Sequence, residues 1–338
     1  MKESNYPTVN YIGNKLKISD WIVDNIPIKE GTVLDIFAGG CSVSYALKKA
    51  GYTVYSNDML YSNYALAKAI IENNTSILKN EHLDIKIDSK EINKKYKKIN
   101  FLVDKVYFDY EVKELSNLVL IAEQLSGYEK YIFIALLRRA MIRKIPYSRM
   151  NIKWEEIKKF RDEEYSYRMY GRYRSYHNKE FMYHIEKNKL EYNKSVFDNS
   201  KENKAFQEDA FELLQDITPV DVVYLDPPYP STMNDYNAFY GYFDEIFNKK
   251  IKTQSTFVDK NTFIGQFEIL LELCQKKTEY IVVSLNNKTK PGMSEIEQSV
   301  TKYFEIINIL EKPHVYKVTG KVNKQTNSEV LIIGKKRR

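Results

Sequence analysis

Cysteine, histidine and long apolar runs are scarce in this 338-residue chain, and each scarcity excludes something. The two cysteines, Cys41 and Cys274, stand far apart, which argues against a disulfide framework and against a zinc site. The four histidines (His82, His177, His184 and His314) lack metal-ligand spacing, so no metal is expected. No apolar run approaches the roughly 20 residues that a membrane-spanning helix needs. Met1 to Tyr6 lacks the apolar stretch of a signal peptide. A soluble, cytoplasmic protein without membrane association is the expectation. Neither an internal repeat nor a nuclease-like grouping of carboxylates around a lysine occurs.

What is present begins with size and charge. A chain of this length accommodates one large domain with an insertion, or two domains, and 43% hydrophobic residues can fill a core. The formal net charge is +7. Between Arg138 and Tyr176 stand 12 Lys+Arg against 5 Asp+Glu, so that segment alone holds the whole excess. Positive charge confined to one stretch favours a polyanion, with nucleic acid first.

The most informative residues are Asp226-Pro227-Pro228-Tyr229, which follow the apolar run Val220 to Leu225, read as a buried strand. Two successive prolines continue neither a central strand nor a helix, because each lacks an N–H and fixes φ. The chain must leave the sheet there, presenting the Asp226 carboxylate and the carbonyls around Pro227 beside the Tyr229 ring. Such a set suits a planar base with an exocyclic amine: Asp226 and a carbonyl each accept one N–H, and the aromatic stacks on the base. The bland alternative is an acidic turn at a strand end.

Thr32 to Phe37 reads as a first strand, Ala38-Gly39-Gly40 as the tight loop after it, and Val43 to Ala50 as a helix stopped by Gly51. Tyr52 to Ser56 reads as a second strand ending at Asn57-Asp58. Glycines after the first strand let the backbone approach a ligand, and a carboxylate at the tip of the second suits a ribose diol. Asp58 therefore points to an adenosine-containing cofactor. NAD or FAD would fit this half, yet neither calls for Asp-Pro-Pro-Tyr.

Taken in order, these motifs resemble those of the S-adenosylmethionine-dependent DNA N6-adenine methyltransferases in which the cofactor motif precedes the catalytic one. The likeness covers about residues 1–75 and 204–338. Tyr11-Ile12-Gly13-Asn14-Lys15 resembles the family's opening motif, which implies Tyr11 near the methionine moiety of S-adenosyl-L-methionine and Lys15 on its carboxylate. Asp35-Ile36-Phe37-Ala38-Gly39-Gly40-Cys41 resembles the first-strand motif, adding Asp35, Phe37 and Gly39 to the implied cofactor contacts. Asp58 resembles the family's ribose acid. Gln207 to Phe211 is similar to the segment that reads the cofactor's adenine, with Asp209 on the amino group. The resemblance makes Asp226, Pro227 and Tyr229 the catalytic residues, with Asp226 also beside the cofactor. The family usually has Phe-x-Gly-x-Gly after the first strand, whereas Cys41 holds the second glycine position here. Gly40 is expected to supply the missing freedom one residue early.

Residues 76–203 lie outside the likeness. Ile92, Tyr96, Ile99, Val103 and Val106 recur at helical spacing, and Leu118 to Met141 reads as one buried helix. Arg168, Arg172 and Arg174 then alternate with Tyr167, Tyr170, Tyr173 and Tyr176. Interleaved arginine and tyrosine suit phosphate contacts, groove insertion and stacking; the alternative is a surface helix in a tyrosine-rich protein. Arg138, Arg139, Arg149, Arg168, Arg172 and Arg174 are the expected DNA contacts. Pro230 to Tyr236 reads as a polar loop able to close over a base. His314 to Val318 and Val330 to Gly334 read as a closing hairpin, and the last four residues as a frayed basic end.

The expected fold is α/β: a doubly wound, Rossmann-like methyltransferase sheet with a terminal antiparallel hairpin, plus an inserted, mainly helical target-recognition region. Residues 1–75 and 204–338 form the expected catalytic domain, and 76–203 the insertion. The resemblance implies methyl transfer to N6 of an adenine flipped out of double-stranded DNA. A restriction-modification or related system is the implied setting, with a cognate restriction endonuclease as candidate partner. The rivals are an RNA or other amino-group methyltransferase and a catalytically silent DNA-binding subunit. Asp at position 226, rather than Asn or Ser, favours adenine, and intact Asp58 and Asp226 favour an active enzyme.

Overall fold

Seven strands form one sheet among the described residues: β1 (Thr32–Asp35), β2 (Thr53–Asn57), β3 (Lys204–Phe206), β4 (Val220–Leu225), β5 (Thr278–Asn286), β6 (Phe304–Pro313) and β7 (Ser328–Lys336). Their order is β3-β2-β1-β4-β5-β7-β6. The first five pair in parallel, while β7 runs antiparallel to β5 and β6 antiparallel to β7. This computed structural model describes residues 5–171, 173, 175–228, 230, 235–249, 251, 256–313 and 327–337, without the side chains of 175, 176 and 256. The mostly parallel sheet closed by an antiparallel hairpin is the Rossmann-like arrangement expected from the sequence.

The strand sequences explain the order. β4 and β5 are rich in valine, isoleucine and leucine and buried along most of their length. Such strands belong in the middle of a parallel sheet covered on both faces. β6 is largely exposed and carries Glu305, Asn308, Glu311 and Lys312, as suits an edge. The sequence reading set the first hairpin strand at 314–318; the observed strand is Phe304–Pro313, and 314–326 lie outside the described residues. Lys335 and Lys336, read as frayed, pair within β7.

Two compact units emerge. One comprises Gly13–Met59, Asn199–Tyr236 and Ile251–Arg338 and carries the whole sheet. Its core joins Leu34, Val223 and Ile281 of the sheet to Leu214, Phe267 and Val300 of helices Ala210–Asp216, Phe263–Lys277 and Met293–Tyr303. The strand order turns back at β1, between β2 and β4, so the loops leaving β1 and β4 emerge side by side at the carboxyl edge. In open α/β sheets that is where ligands bind.

The other unit comprises Met1–Ile12, Leu60–Asp198 and Asn237–Lys250 and is mainly helical. Against the 76–203 range expected from the sequence, this unit adds Met1–Ile12, residues 60–75 and Asn237–Lys250 and leaves 199–203 to the other. The single helix read over Leu118 to Met141 is two, Asp109–Gln124 and Gly127–Arg143, interrupted at Leu125 and Ser126. The unit contains a buried ionic group: Arg161 donates twice to Glu111, and Lys144 sits 2.8 Å from the same carboxylate.

Candidate active site

Asp226 is the first residue after β4, where Pro227 and Pro228 end the strand. Its side chain is 19% exposed. Lys15 reaches it from the segment ahead of helix Ser19–Asp24, anchored by its backbone N–H donating to Ser42 Oγ at 3.2 Å. The Lys15 ammonium lies 3.0 Å from each Asp226 oxygen and 3.2 Å from Oε1 of Glu329, on β7. Glu329 is fully buried, and Ser284 of β5 donates its hydroxyl to the same Oε1. One cation thus faces two carboxylates. Burial, opposed by the Lys15 charge and reinforced by Glu329, pushes the Asp226 carboxyl up to about 6.

Asp35 ends β1 and is buried; its Oδ2 accepts the Ser44 hydroxyl at 2.6 Å, and Ser44 Oγ lies 3.0 Å from Ser56 Oγ. Oδ1 has no hydrogen-bond partner among the described residues. Desolvation, opposed by the Ser44 bond and aided by Asp226 and Asp58, pushes Asp35 up to about 7. A buried acceptor without a donor suits a ligand that brings one.

The loop after β1 departs from expectation. Gly39 (φ 49°) and Cys41 (φ 58°) take left-handed backbone, and Gly40 does not. Gly40 therefore does not supply the freedom; a residue with a Cβ adopts that conformation itself, which costs roughly 1–2 kcal/mol. Cys41 is held by its N–H donating to the Ala38 carbonyl at 2.7 Å and by heading helix Ser42–Lys49. Asp58, just past β2, accepts the Gly39 N–H on Oδ2 at 2.9 Å, tying the strand tip to that loop.

Asp209 caps helix Ala210–Asp216, accepting the N–H groups of Phe211 at 2.8 Å and Glu212 at 3.4 Å. With Met59, Gln207, Glu208 and Glu212 it lines a polar depression of about 290 Å³. Phe37 packs edge-on to Phe257, 5.6 Å between ring centres. Lys15, Asp35, Phe37, Gly39, Asp58, Asp209, Asp226 and Pro227 all fall in the unit that carries the sheet. Tyr229 lies outside the described residues.

The remaining expected residues belong to the helical unit. Tyr11 stacks on Tyr240 at 5.3 Å, whose hydroxyl accepts the Ile12 N–H. Arg138 is buried, its guanidinium over the rings of Tyr240 and Tyr11 at 4.9 and 5.6 Å. Arg139 is also buried and donates to the Thr8 carbonyl and Asn10. Arg138, Arg139, Lys144 and Arg161 are thus taken up inside the unit, so the charge counted over this segment overstates its surface. Arg149 is half-buried over Tyr147 and Phe239. Arg168 is exposed on the last turn of helix Glu163–Tyr170, beside exposed Tyr167, which stacks on Tyr173 at 4.7 Å. Arg172 and Arg174 lie outside the described residues.

Sequence reasoning missed Glu329, Ser284 and Ser44. Ser44 was signalled by its place on the first turn after a ligand loop. A lone acid heading the apolar run Val330 to Ile333 was the signal for Glu329. Ser284 gave none, being one hydroxyl in a buried strand. Among the described residues no group of three or more His, Cys, Asp or Glu could hold a metal ion, and no helix is long and apolar enough to cross a membrane.

Comparison with known proteins adds an independent finding. Residues 11–299 match the model of the D12 class N6 adenine-specific DNA methyltransferases. The chain is 44% identical over 336 residues to the Type II methyltransferase M2.HphI of Haemophilus parahaemolyticus, covering 98% of this chain and 99% of that one. It is 30% identical over 244 residues to the modification methylase StsI of Streptococcus sanguinis, covering 66% of this chain and 34% of that protein. It is 25% identical to the Type II methyltransferase M.NlaIII of Neisseria lactamica over 87% of this chain and 88% of that one.

Proposed function

Since the chain belongs to the D12 class of N6 adenine-specific DNA methyltransferases, we propose that S-adenosyl-L-methionine is its methyl donor and that Asp226 is the acceptor for the target amine. The enzyme methylates adenine in DNA at N6. The single observation that carries the site assignment is the Asp226 carboxylate, at the carboxyl end of β4 and held by Lys15 next to the end of β1.

The residues present suit the donor. Asp58 offers a carboxylate for the ribose diol, Asp209 an acceptor beside a polar depression, and the bare Oδ1 of Asp35 an acceptor for an ammonium. Tyr11 and Phe37 remain proposed neighbours of the methionine moiety and the adenosine. Lys15 is assigned to Asp226 rather than to the cofactor carboxylate, because its ammonium is already engaged there. When bound, S-adenosylmethionine supplies an electrophilic methyl group on a positively charged sulfur.

The N6 lone pair of adenine is delocalised into the ring and nucleophilically weak. Asp226 and the Pro227 carbonyl, each accepting one N–H, favour a tetrahedral nitrogen whose lone pair is free to attack. The bound donor would give its methyl to that nitrogen and keep the electron pair of the broken carbon–sulfur bond on sulfur. The nitrogen takes up the positive charge, then loses one proton, for which Asp226 is the proposed acceptor. Positioning and electrostatics do the catalysis. Tyr229 is proposed to stack on the base.

A stacked base hides its amine, so the adenine is flipped out of double-stranded DNA at a cost of roughly a few kcal/mol. Exposed Arg168 and half-buried Arg149, with Arg172 and Arg174, are proposed to contact DNA within a target-recognition region built around 76–203. Relatives named as Type II methyltransferases support a Type II restriction-modification setting; a cognate endonuclease and a cytoplasmic location are proposed with it.

The test is Asp226→Asn, assayed by methyl incorporation and mapping of N6-methyladenine. A loss on the order of 10² to 10⁴ in rate is expected, with DNA binding kept because phosphate contacts dominate affinity. A folded variant with substantial activity would remove Asp226 from the reaction.

A further inference from the structure

We propose that Glu329 is a positioning residue of the transfer reaction, sharing the Lys15 ammonium so that Asp226 stays a strong acceptor for the target amine. The inference rests on the reading of Asp226 given above. Lys15 Nζ is 3.0 Å from both Asp226 oxygens and 3.2 Å from Glu329 Oε1, so one lysine serves two acids. A carboxylate with no exposure is costly to bury, and charge balance for Lys15 alone is met by Asp226. The second acid leaves the group one negative charge in excess. That excess faces a reaction in which one positive charge moves from sulfur to the amine nitrogen beside Asp226.

The surroundings favour a fixed role for Glu329. It lies on β7, paired with β5 opposite Asn286, and Ser284 of β5 donates to its Oε1. Its oxygen is therefore fixed by a hydroxyl and an ammonium on elements of one sheet-bearing unit. The ionisable groups that interact with Asp226 are Lys15, Glu329, Asp35 of β1 and Tyr224 of β4. Among them Lys15 draws the Asp226 carboxyl down and Glu329 holds it up. Taking the charge from Glu329 leaves Lys15 wholly to Asp226, which becomes the weaker base and the poorer acceptor.

The test is Glu329→Gln in the full-length enzyme, with Asp226→Asn alongside and Glu329→Asp as the conservative variant. Single-turnover methylation is followed against pH, and cofactor and DNA affinities are measured separately. Glu329→Gln should slow transfer about tenfold. It should also move the acid limb of the pH profile down by about one unit, the effect of removing a nearby like charge. Both affinities should be unchanged, and Glu329→Asp should restore part of the rate. If Glu329→Gln does not fold, Ser284→Ala should weaken the same contact and give a smaller shift in the same direction. A folded Glu329→Gln or Ser284→Ala with the parent's rate and acid limb overturns the inference, as does a loss of stability alone. Should Asp226→Asn itself keep its activity, the site assignment fails instead, and the two failures are told apart.

Discussion

Lys15 Nζ sits 3.0 Å from Oδ1 and 3.0 Å from Oδ2 of Asp226, joining two positions 211 residues apart in a largely dry site. The pairing is lopsided, because Glu329 waits on the same ammonium at 3.2 Å. Removing Asp226 leaves Lys15 paired, whereas removing Lys15 leaves two carboxylates facing each other.

Lys15→Met should therefore destabilise the fold more than Asp226→Asn does, by about 3 kcal/mol for a broken buried pair. Without the cation Asp226, whose carboxyl burial already raises and Lys15 draws down, holds its proton more tightly still than in the unfolded chain. A raised carboxyl pKa weakens the fold as pH rises through it, so the deficit should grow from pH 5 to pH 8. Urea denaturation of both variants at the two pH values measures this. An equal deficit for the two variants would mean that Glu329 does not share the lysine.

Asp35 gives a second pH prediction. Its carboxyl is raised from an ordinary 3.8 to about 7, so the folded chain binds the extra proton between those values. The parent accordingly loses stability as pH rises through that window, on the order of a few kcal/mol at most. Asp35→Asn carries no such charge. The melting temperature of the variant relative to the parent should climb from pH 5 to pH 8, while cofactor affinity falls because the acceptor is lost. A pH-independent difference would show that Asp35 does not titrate in this window.

Asp58→Ala should weaken cofactor binding by roughly 1.5–3 kcal/mol, the range for a hydrogen bond to a charged group. The same change frees the Gly39 N–H that Asp58 now accepts. Asp58→Asn, whose amide oxygen can still take that N–H, should recover part of the loss. Calorimetric titration separates the outcomes, and unchanged affinity in Asp58→Ala would mean that the carboxylate does not meet the ribose.

Much of this site was legible because its residues travel in short motifs. Prolines 227 and 228 announce a strand end in any context, and Gly51, at φ 95°, ends helix Ser42–Lys49 where a glycine was read as its stop. β4 was readable residue for residue because, Asp221 apart, it is an apolar run, as suits a strand buried on both faces. What escaped depended on pairing between distant segments. Phe304–Pro313 shows no clean two-residue period, and its bonding to β7 makes it a strand. Glu329 acquires meaning only beside Lys15, 314 positions earlier. Arg138 and Arg139 were counted as surface charge because sequence cannot show that Tyr11, Tyr240 and Thr8 enclose them. Charge patterns in sequence therefore overcount the cations that are free for DNA.

Arg168, Arg172 and Arg174 provide the test of where DNA is held. Replacing all three by Ala should weaken binding and flatten its salt dependence, since each lost phosphate contact removes about 0.9 from the slope of log K against log salt. Three phosphate contacts predict a fall of roughly 2.7. A smaller fall with relaxed site preference would mean that one arginine reads a guanine edge. Arg138→Ala and Arg139→Ala should leave the slope alone and cost stability instead, because both guanidiniums are engaged inside their unit. Cofactor affinity should be untouched in the triple variant, since Asp35, Asp58 and Asp209 belong to the other unit. If the triple variant keeps both its affinity and its slope, the tyrosine-flanked arginines are solvated surface. Recognition would then be sought elsewhere in the proposed region around 76–203.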